Sequence, residues 1–91
     1  MKPVALIFEE GKFRYTQLER HGDLAIYRQE LKSSGVKRYE VVRIRTAGEH
    51  VWPNGTTSPK REVYPGRHAW GKDGWTFFTF TDAQAFLRTI K

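Results

Sequence analysis

Three consecutive stretches of this chain alternate apolar and polar residues, and this period of two constrains the fold more than any other feature. The stretches are FRYTQLER (13–20), DLAIYRQEL (23–31) and KRYEVVRIRT (37–46). Such alternation is typical of β-strands that bury one face. Gly22 lies in the short first connection and can adopt a positive φ without steric cost, and the polar turn KSSG (32–35) forms the second. We therefore predict consecutive antiparallel hairpins.

Two further strands extend this pattern. VALIFE (4–9) is followed by a glycine turn, and WTFFTF (75–80) is rich in β-formers. Residues 62–64 are expected to pair only briefly. In the last strand we expect Phe78 and Phe80 to lie in the core beneath a helix, because a small domain needs nearly every large apolar side chain for its core.

The C-terminal segment TDAQAFLRTIK (81–91) has a different period. Its apolar residues fall at positions i, i+3, i+4 and i+7, the stripe of an amphipathic helix, and they are Ala83, Phe86, Leu87 and Ile90. Thr81 followed by Gln84 matches a capping box, and Asp82 in the first turn suits the helix dipole. The segment therefore predicts a helix that begins near Thr81.

The expected fold class is α+β and mostly β. A four- to five-stranded antiparallel meander carries one C-terminal α-helix packed on a sheet face, in a single small globular domain over residues 1–91. In the strand predicted over residues 37–46, Val42 and Ile44 are expected to face the core, while Val41, Arg43 and Arg45 form a basic outer face. The pattern leaves open which face of the sheet the helix covers, since a register change of one residue exchanges the faces.

Composition excludes several classes of protein. There is no cysteine among the 91 residues, which rules out disulfides, thiolate metal sites and thiol catalysis. The N-terminal run PVALIF (3–8) is too short for a signal sequence or a membrane span, so we expect a cytoplasmic protein that has no membrane partner. GKDG (71–74) lacks the spacing of a phosphate loop. We expect no cofactor and no metal, because three scattered histidines match no ligand pattern.

The middle of the chain is strongly basic. The net charge is +6, and residues 37–72 alone carry eight basic and three acidic residues. Such a field favours encounters with anionic partners, of which nucleic acid is the commonest. Residues 47–61 are rich in Pro and Gly, which indicates a mobile loop or a loosely formed hairpin with its tip around Pro53, Asn54 and Gly55.

The candidate binding residues combine cations with aromatic side chains. Alternate arginines on a strand project from one face at a spacing that suits successive phosphates, and a tryptophan can stack on a base. The candidates are Lys37, Arg38, Arg43, Arg45, Trp52, Lys60, Arg61, Arg67, Trp70 and Lys72. The alternative for the arginines is a solvated sheet face on which they pair with Glu19, Glu30 or Glu40. The alternative for the tryptophans is that Trp70 or Trp75 folds over the loop as a lid.

Four segments resemble small phage- and prophage-encoded proteins of unknown function. They are YEVVRIR (39–45), REVYPG (61–66), WGKDGWTF (70–77) and TDAQAF (81–86). The resemblance implies an accessory protein of a mobile element that acts in a bacterial host cell, where it regulates DNA or blocks host defence. Three antiparallel strands followed by a helix are also similar to the DNA-binding domains of plant ethylene-response factors and phage integrases. No functional residue is carried over from either resemblance.

Three functions follow from these patterns. The first is a non-enzymatic accessory protein that binds nucleic acid or a nucleoprotein through the basic sheet face and the loops. The second is an anti-defence inhibitor of the anti-CRISPR kind, which would occlude the surface of a host effector with aromatic and arginine anchors. The third is a small ribonuclease that depends on His50 or His68 as a proton carrier.

Overall fold

The computed structural model describes residues 3–48, 50–51, 53–55, 57–58 and 60–91. In this part of the chain the α-helix α1 (Phe80–Ile90) lies near the C-terminal end, and a short 3₁₀ turn spans Arg67–Ala69. The strands are β1 (Ile7–Glu10), β2 (Phe13–His21), β3 (Leu24–Leu31), β4 (Lys37–Arg43), β5 (Arg45–Ala47), β6 (His50–Val51), β7 (Thr57–Ser58), β8 (Arg61–Val63) and β9 (Gly74–Phe77). The predicted class, a mostly β fold with one C-terminal helix packed on an antiparallel sheet, is confirmed.

The main sheet has five antiparallel strands in the order β1-β2-β3-β4-β9. The first four strands follow the chain as consecutive hairpins, and Gly11 and Gly22 in the two tightest turns have φ of 60° and 62°. These values lie in the left-handed region, where a side chain would be strained. β9 then returns beside β4, with Gly74 opposite Val42 and Phe77 opposite Tyr39.

Both faces of this sheet are buried, so the prediction of one core face and one basic face is wrong. On one side, which we call the helix face, α1 covers Leu24, Ile26 and Val41 with its own Ala83 and Leu87. The face that carries Val41 is buried because the apolar stripe of α1 must pack against an apolar surface, and this face of the sheet supplies it.

The opposite side, which we call the aromatic face, carries the second core. Its buried residues are Tyr15, Ala25, Tyr27, Val42 and Ile44, and Phe8, Phe13, Tyr64 and Trp70 pack against them. The expected inward position of Val42 and Ile44 is therefore confirmed. Because the rings here are large and several carry a hydroxyl group, this side of the sheet combines apolar surface with hydrogen-bonding groups.

The last strand is shorter than the sequence predicts. β9 ends at Phe77, Phe78 is 75% exposed, and Phe80 already belongs to α1, from which it packs against the helix-face core. The expected core position of Phe78 and the capping box at Thr81 are both wrong. Thr79 is the N-cap, and its hydroxyl accepts a hydrogen bond from the Asp82 N–H at 3.1 Å. The helix begins earlier because this cap satisfies one of its first free amide groups, the Asp82 N–H.

The segment over 47–61 contributes to a hairpin, which we call the arm and which runs between residues 45 and 63. β5 pairs with β8, from Arg45 opposite Val63 to Ala47 opposite Arg61, and β6 pairs with β7. The two ladders are in the same register. Arg45 pairs with Val63, and five residues further along, His50 pairs with Ser58, which lies five residues before Val63. The hairpin alternative is therefore the observed one, while the mobility of this segment stays a prediction.

Replacement of Thr79 by alanine tests the observed start of the helix. We expect Thr79→Ala to lower the free energy of unfolding by about 1 kcal/mol, because it removes the acceptor for the Asp82 N–H. Thr81→Ala is the matched control and should cost about 0.5 kcal/mol or less. Urea unfolding followed by circular dichroism measures both. A larger loss for Thr81→Ala would contradict the assignment of the cap.

Candidate nucleic-acid interface and aromatic cleft

Two ion pairs hold the base of the arm to the main sheet. Arg45 donates to Asp73 through Nε at 3.0 Å and Nη2 at 2.6 Å. Glu62 accepts from two nitrogens of Arg20 on β2, at 2.7 and 2.6 Å, and from the Val4 N–H at 3.1 Å. Arg45 and Glu62 occupy neighbouring rungs of one ladder, so their side chains leave the arm on opposite faces. The arm is therefore clamped from both sides by paired charge-assisted hydrogen bonds.

These contacts shift the pKa of the carboxyl groups involved. The hydrogen bonds from Arg20, with the Val4 N–H, lower the pKa of Glu62 from 4.5 to about 2. Arg45 likewise holds the pKa of Asp73 below its usual value. Both carboxyl groups therefore stay ionised over a wide pH range, and each neutralises the arginine that it binds.

Five of the candidate residues lie together around the base of the arm. Arg61 is opposite Ala47 and shares one face of the arm with Arg45, while Lys60 precedes it and is exposed. Lys72 precedes Asp73, and the Asp73 carbonyl accepts a hydrogen bond from the Arg43 N–H at 2.7 Å. We call this group the arm-base cluster, and it consists of Arg43, Arg45, Lys60, Arg61 and Lys72.

Two members of the arm-base cluster differ from the freely exposed cations that the sequence suggests. The Arg45 guanidinium is bound by Asp73, although the side chain remains 52% exposed. Arg43 is half-buried on the side of Val41, and its Nε has no hydrogen-bond partner among the described residues. Neither arginine pairs with Glu19, Glu30 or Glu40, because those carboxylates have other partners. Lys60, Arg61 and Lys72 are the cations of this cluster that are exposed and form no ion pair with a described residue.

The charges are paired unevenly over the described part of the chain. Many acidic side chains have a specific partner: Glu9 binds Arg14 and Lys32, Glu19 binds His21, Glu30 binds Lys37, Glu62 binds Arg20 and Asp73 binds Arg45. Other cations form no ion pair with any described residue: Lys12, Arg28, Arg38, Arg43, Lys60, Arg61, Lys72 and Arg88. Within the described residues, these side chains carry positive charge that no ion pair offsets.

Lys37 and Arg38 lie at the opposite end of β4, separated from Arg43 by the length of the strand. Lys37 pairs with Glu30 at 3.4 Å. Arg38 places its guanidinium 4.7 Å from the centre of the exposed Phe78 ring, a cation–π contact. The structure does not join these two residues to the arm-base cluster, so the candidates divide into two groups.

The tryptophans have different roles. Trp75 packs on Phe86 of α1, with ring centres 4.9 Å apart, and is part of the helix-face core. Trp70 is half-buried on the aromatic face, where its indole N–H donates to the Thr76 hydroxyl at 2.9 Å. Trp52 lies outside the described residues, and for Arg67 only the backbone, in the 3₁₀ turn, is described.

Sequence reasoning missed a cleft on the aromatic face. It has a volume of about 720 Å³ and lies between the β1–β2 turn and the segment from Tyr64 to Trp70. At its floor is Glu40, which is 6% exposed and accepts a hydrogen bond from the Tyr64 hydroxyl. The signal was present, since Glu40 shares a strand face with the core residue Val42, where a charged side chain is unusual.

Two of the three histidines, His21 and His68, have described side chains. His21 lies 2.7 Å from a Glu19 oxygen at the exposed end of β2, and His68 is exposed in the 3₁₀ turn. No group of three or more potential ligands that could hold a metal ion occurs in the described ranges.

Among the described residues, no helix has both the length and the apolar character that a membrane span requires.

Comparison with known proteins adds no relative. The chain matches no protein-family model, no curated protein and no solved structure. The function is therefore argued from the geometry and charge of the site.

The Arg20–Glu62 pair predicts a specific pH dependence of stability. Because folding depresses the pKa of Glu62, its ionised form stabilises the fold above the ordinary value of 4.5, and this contribution is lost as the pH falls towards about 2. Glu62→Gln should therefore unfold more easily than the parent chain at neutral pH, with a difference that shrinks between pH 4.5 and 2. Urea unfolding across this pH range measures the difference.

A double substitution provides the control for this prediction. In a chain that already carries Arg20→Met, Glu62→Gln should have a much smaller effect, because the main partner is gone. A difference that is independent of pH would contradict the role assigned to this ion pair.

Proposed function

We propose that this chain is a non-enzymatic nucleic-acid-binding protein that contacts the phosphate backbone with the arm-base cluster. The observation that carries the proposal is the uneven pairing of charge. Lys60, Arg61 and Lys72 are exposed and form no ion pair with a described residue, whereas the neighbouring carboxylates of Glu62 and Asp73 are bound by arginines. Unpaired cations gathered at one place attract polyanions and release the counterions bound to them.

The shape of the arm supports duplex nucleic acid as the partner. A two-stranded β-ribbon is one of the elements that the major groove of B-DNA admits. Arg45 and Arg61 are diagonal neighbours on one face of this ribbon, a relation that places Cα atoms roughly 7 Å apart. This separation is comparable with the spacing of successive phosphates on one strand. The clamp at Asp73 and Arg20 would fix the arm in orientation before binding, which reduces the entropy lost in the complex.

Removal of the exposed cations tests the proposal directly. We expect Lys60→Ala with Arg61→Ala to weaken binding to a 20-base-pair duplex and to reduce the slope of log K against log salt by about two, since each lost phosphate contact lowers it by about one. Fluorescence anisotropy of labelled duplex between about 50 and 200 mM salt gives both quantities.

The chain offers a control with the same loss of charge. Arg14→Ala with Lys32→Ala also removes two positive charges, but both side chains pair with Glu9 at the β1 edge of the sheet. This variant should bind with nearly the parent affinity and slope. If both double variants weaken binding equally, the net charge matters and the arm-base cluster has no special role. If neither does, nucleic-acid binding at this site is excluded.

A second candidate function rests on a different observation. The exposed Phe78 ring stacked with Arg38 is the kind of aromatic and arginine anchor that dominates protein–protein interfaces. An anti-defence inhibitor could use this anchor against a host effector. Capture of a bacterial protein that survives nuclease treatment and is lost in Phe78→Ala would favour that function. The resemblance to phage-encoded proteins and the ribonuclease alternative stay predictions.

A further inference from the structure

The cleft on the aromatic face has the size and the construction of a ligand site. Its volume of about 720 Å³ lies within the range of about 300 to 1,000 Å³ that is usual for small-molecule pockets. Lys60, Arg61 and Lys72 do not line it. The proposed nucleic-acid interface therefore leaves this cleft without a role.

The walls of the cleft are aromatic and firmly held. The centre of the Tyr64 ring lies 5.7 Å from that of Tyr15 and 6.5 Å from that of Trp70. Trp70 is fixed by its hydrogen bond to Thr76 and by close packing on Gly74, where an added Cβ would lie 2.6 Å from the indole ring. The rings are thus in place without a ligand, which is the usual condition of small-molecule sites.

A buried carboxylate at the floor gives the cleft its charge. Tyr64 donates to Glu40 Oε1, and the Glu40 side chain is otherwise enclosed, with only 6% of the residue exposed. Burial raises the pKa of Glu40, and the carboxylate of Glu10 on the rim acts in the same direction. A cation in the cleft would offset both effects, since an ionised carboxylate removed from water needs an opposite charge nearby.

We propose that this cleft binds a weakly hydrated organic cation of the quaternary or methylated ammonium class. Aromatic faces attract cations electrostatically, and cages of such rings recognise quaternary ammonium groups. A weakly hydrated head loses little on leaving water, and the two carboxylates supply the complementary charge. A phosphate or a carboxylate ligand would face repulsion from Glu10 and Glu40. Lys12 also lies on the rim, where its positive charge would repel a cationic ligand. Removal of Lys12 should therefore change the affinity in the opposite direction to removal of Glu10 or Glu40.

Choline and its uncharged isostere, 3,3-dimethylbutan-1-ol, are suitable probes because they differ mainly in charge. Titration followed by the NMR signal of the Trp70 indole N–H, assigned by its loss in Trp70→Phe, gives the dissociation constant. We expect choline to bind at least about tenfold more tightly than the alcohol, which corresponds to the upper part of the cation–π range.

Three variants locate the charge that is responsible. Glu40→Gln should weaken choline binding by about tenfold, and Glu10→Gln by a smaller factor, because Glu10 is exposed and screened by water. Lys12→Ala should strengthen binding, since it removes a like charge. Glu10 and Lys12 are both exposed, so their variants remain informative even if Glu40→Gln destabilises the fold. A general loosening of the cleft would not produce effects of opposite sign.

The outcome separates this proposal from the proposed function. Lys60→Ala with Arg61→Ala should leave choline binding unchanged, whereas it should weaken duplex binding. Either of two results would overturn the assignment of a cation site. One is equal binding of choline and the alcohol, and the other is unchanged choline binding in Glu40→Gln as well as in Glu10→Gln. Failure of duplex binding alone would leave the cation site standing.

Discussion

The structure depends on the burial of both faces of β4. Val41 and Val42 are adjacent in sequence, both are fully buried, and they point to opposite sides of the sheet. Each side must therefore have its own cover, which α1 supplies on one side and the aromatic residues around Tyr64 supply on the other. In a chain of 91 residues this arrangement uses most of the large apolar side chains. It also places β4 between β3 and β9, so that neither of its edges is open.

The packing around β4 also positions the charged residues that hold the arm. At the start of β9, Asp73 lies beside the end of β4, where it binds Arg45 at the base of the arm. On the other face of the arm, Glu62 binds Arg20. Exposed ion pairs stabilise proteins little, but these two are bidentate and partly shielded, and they set the position of the arm. The acids that they engage form no ion pair with Lys60, Arg61 or Lys72.

The aromatic face contains a feature that stability alone does not explain. A carboxylate in an apolar environment is costly, and an apolar residue at position 40 would pack with Val42 and Tyr64 at lower cost. Glu40 is 6% exposed and accepts a hydrogen bond from the Tyr64 hydroxyl. Such a group is expected where a ligand completes the electrostatic environment, and pockets with perturbed carboxyl groups are often binding sites. The cleft and the arm-base cluster would then serve different ligands on one small scaffold.

The elements of this fold can be predicted from sequence because they follow from local patterns. Alternation over 13–46 predicts the hairpins of the main sheet, and the stripe from Ala83 to Ile90 predicts the helix. The sequence also identifies the basic middle of the chain as the source of candidate cations. What only the tertiary structure decided depends on residues far apart in sequence: which face the helix covers, that Asp73 binds Arg45, that Arg20 binds Glu62, and that Tyr64 meets Glu40 over a cleft. Periodicity in a sequence predicts which residues share a face of a strand or helix, but it does not predict which distant residues they contact. Those contacts depend on how the other elements pack on the two sides of β4.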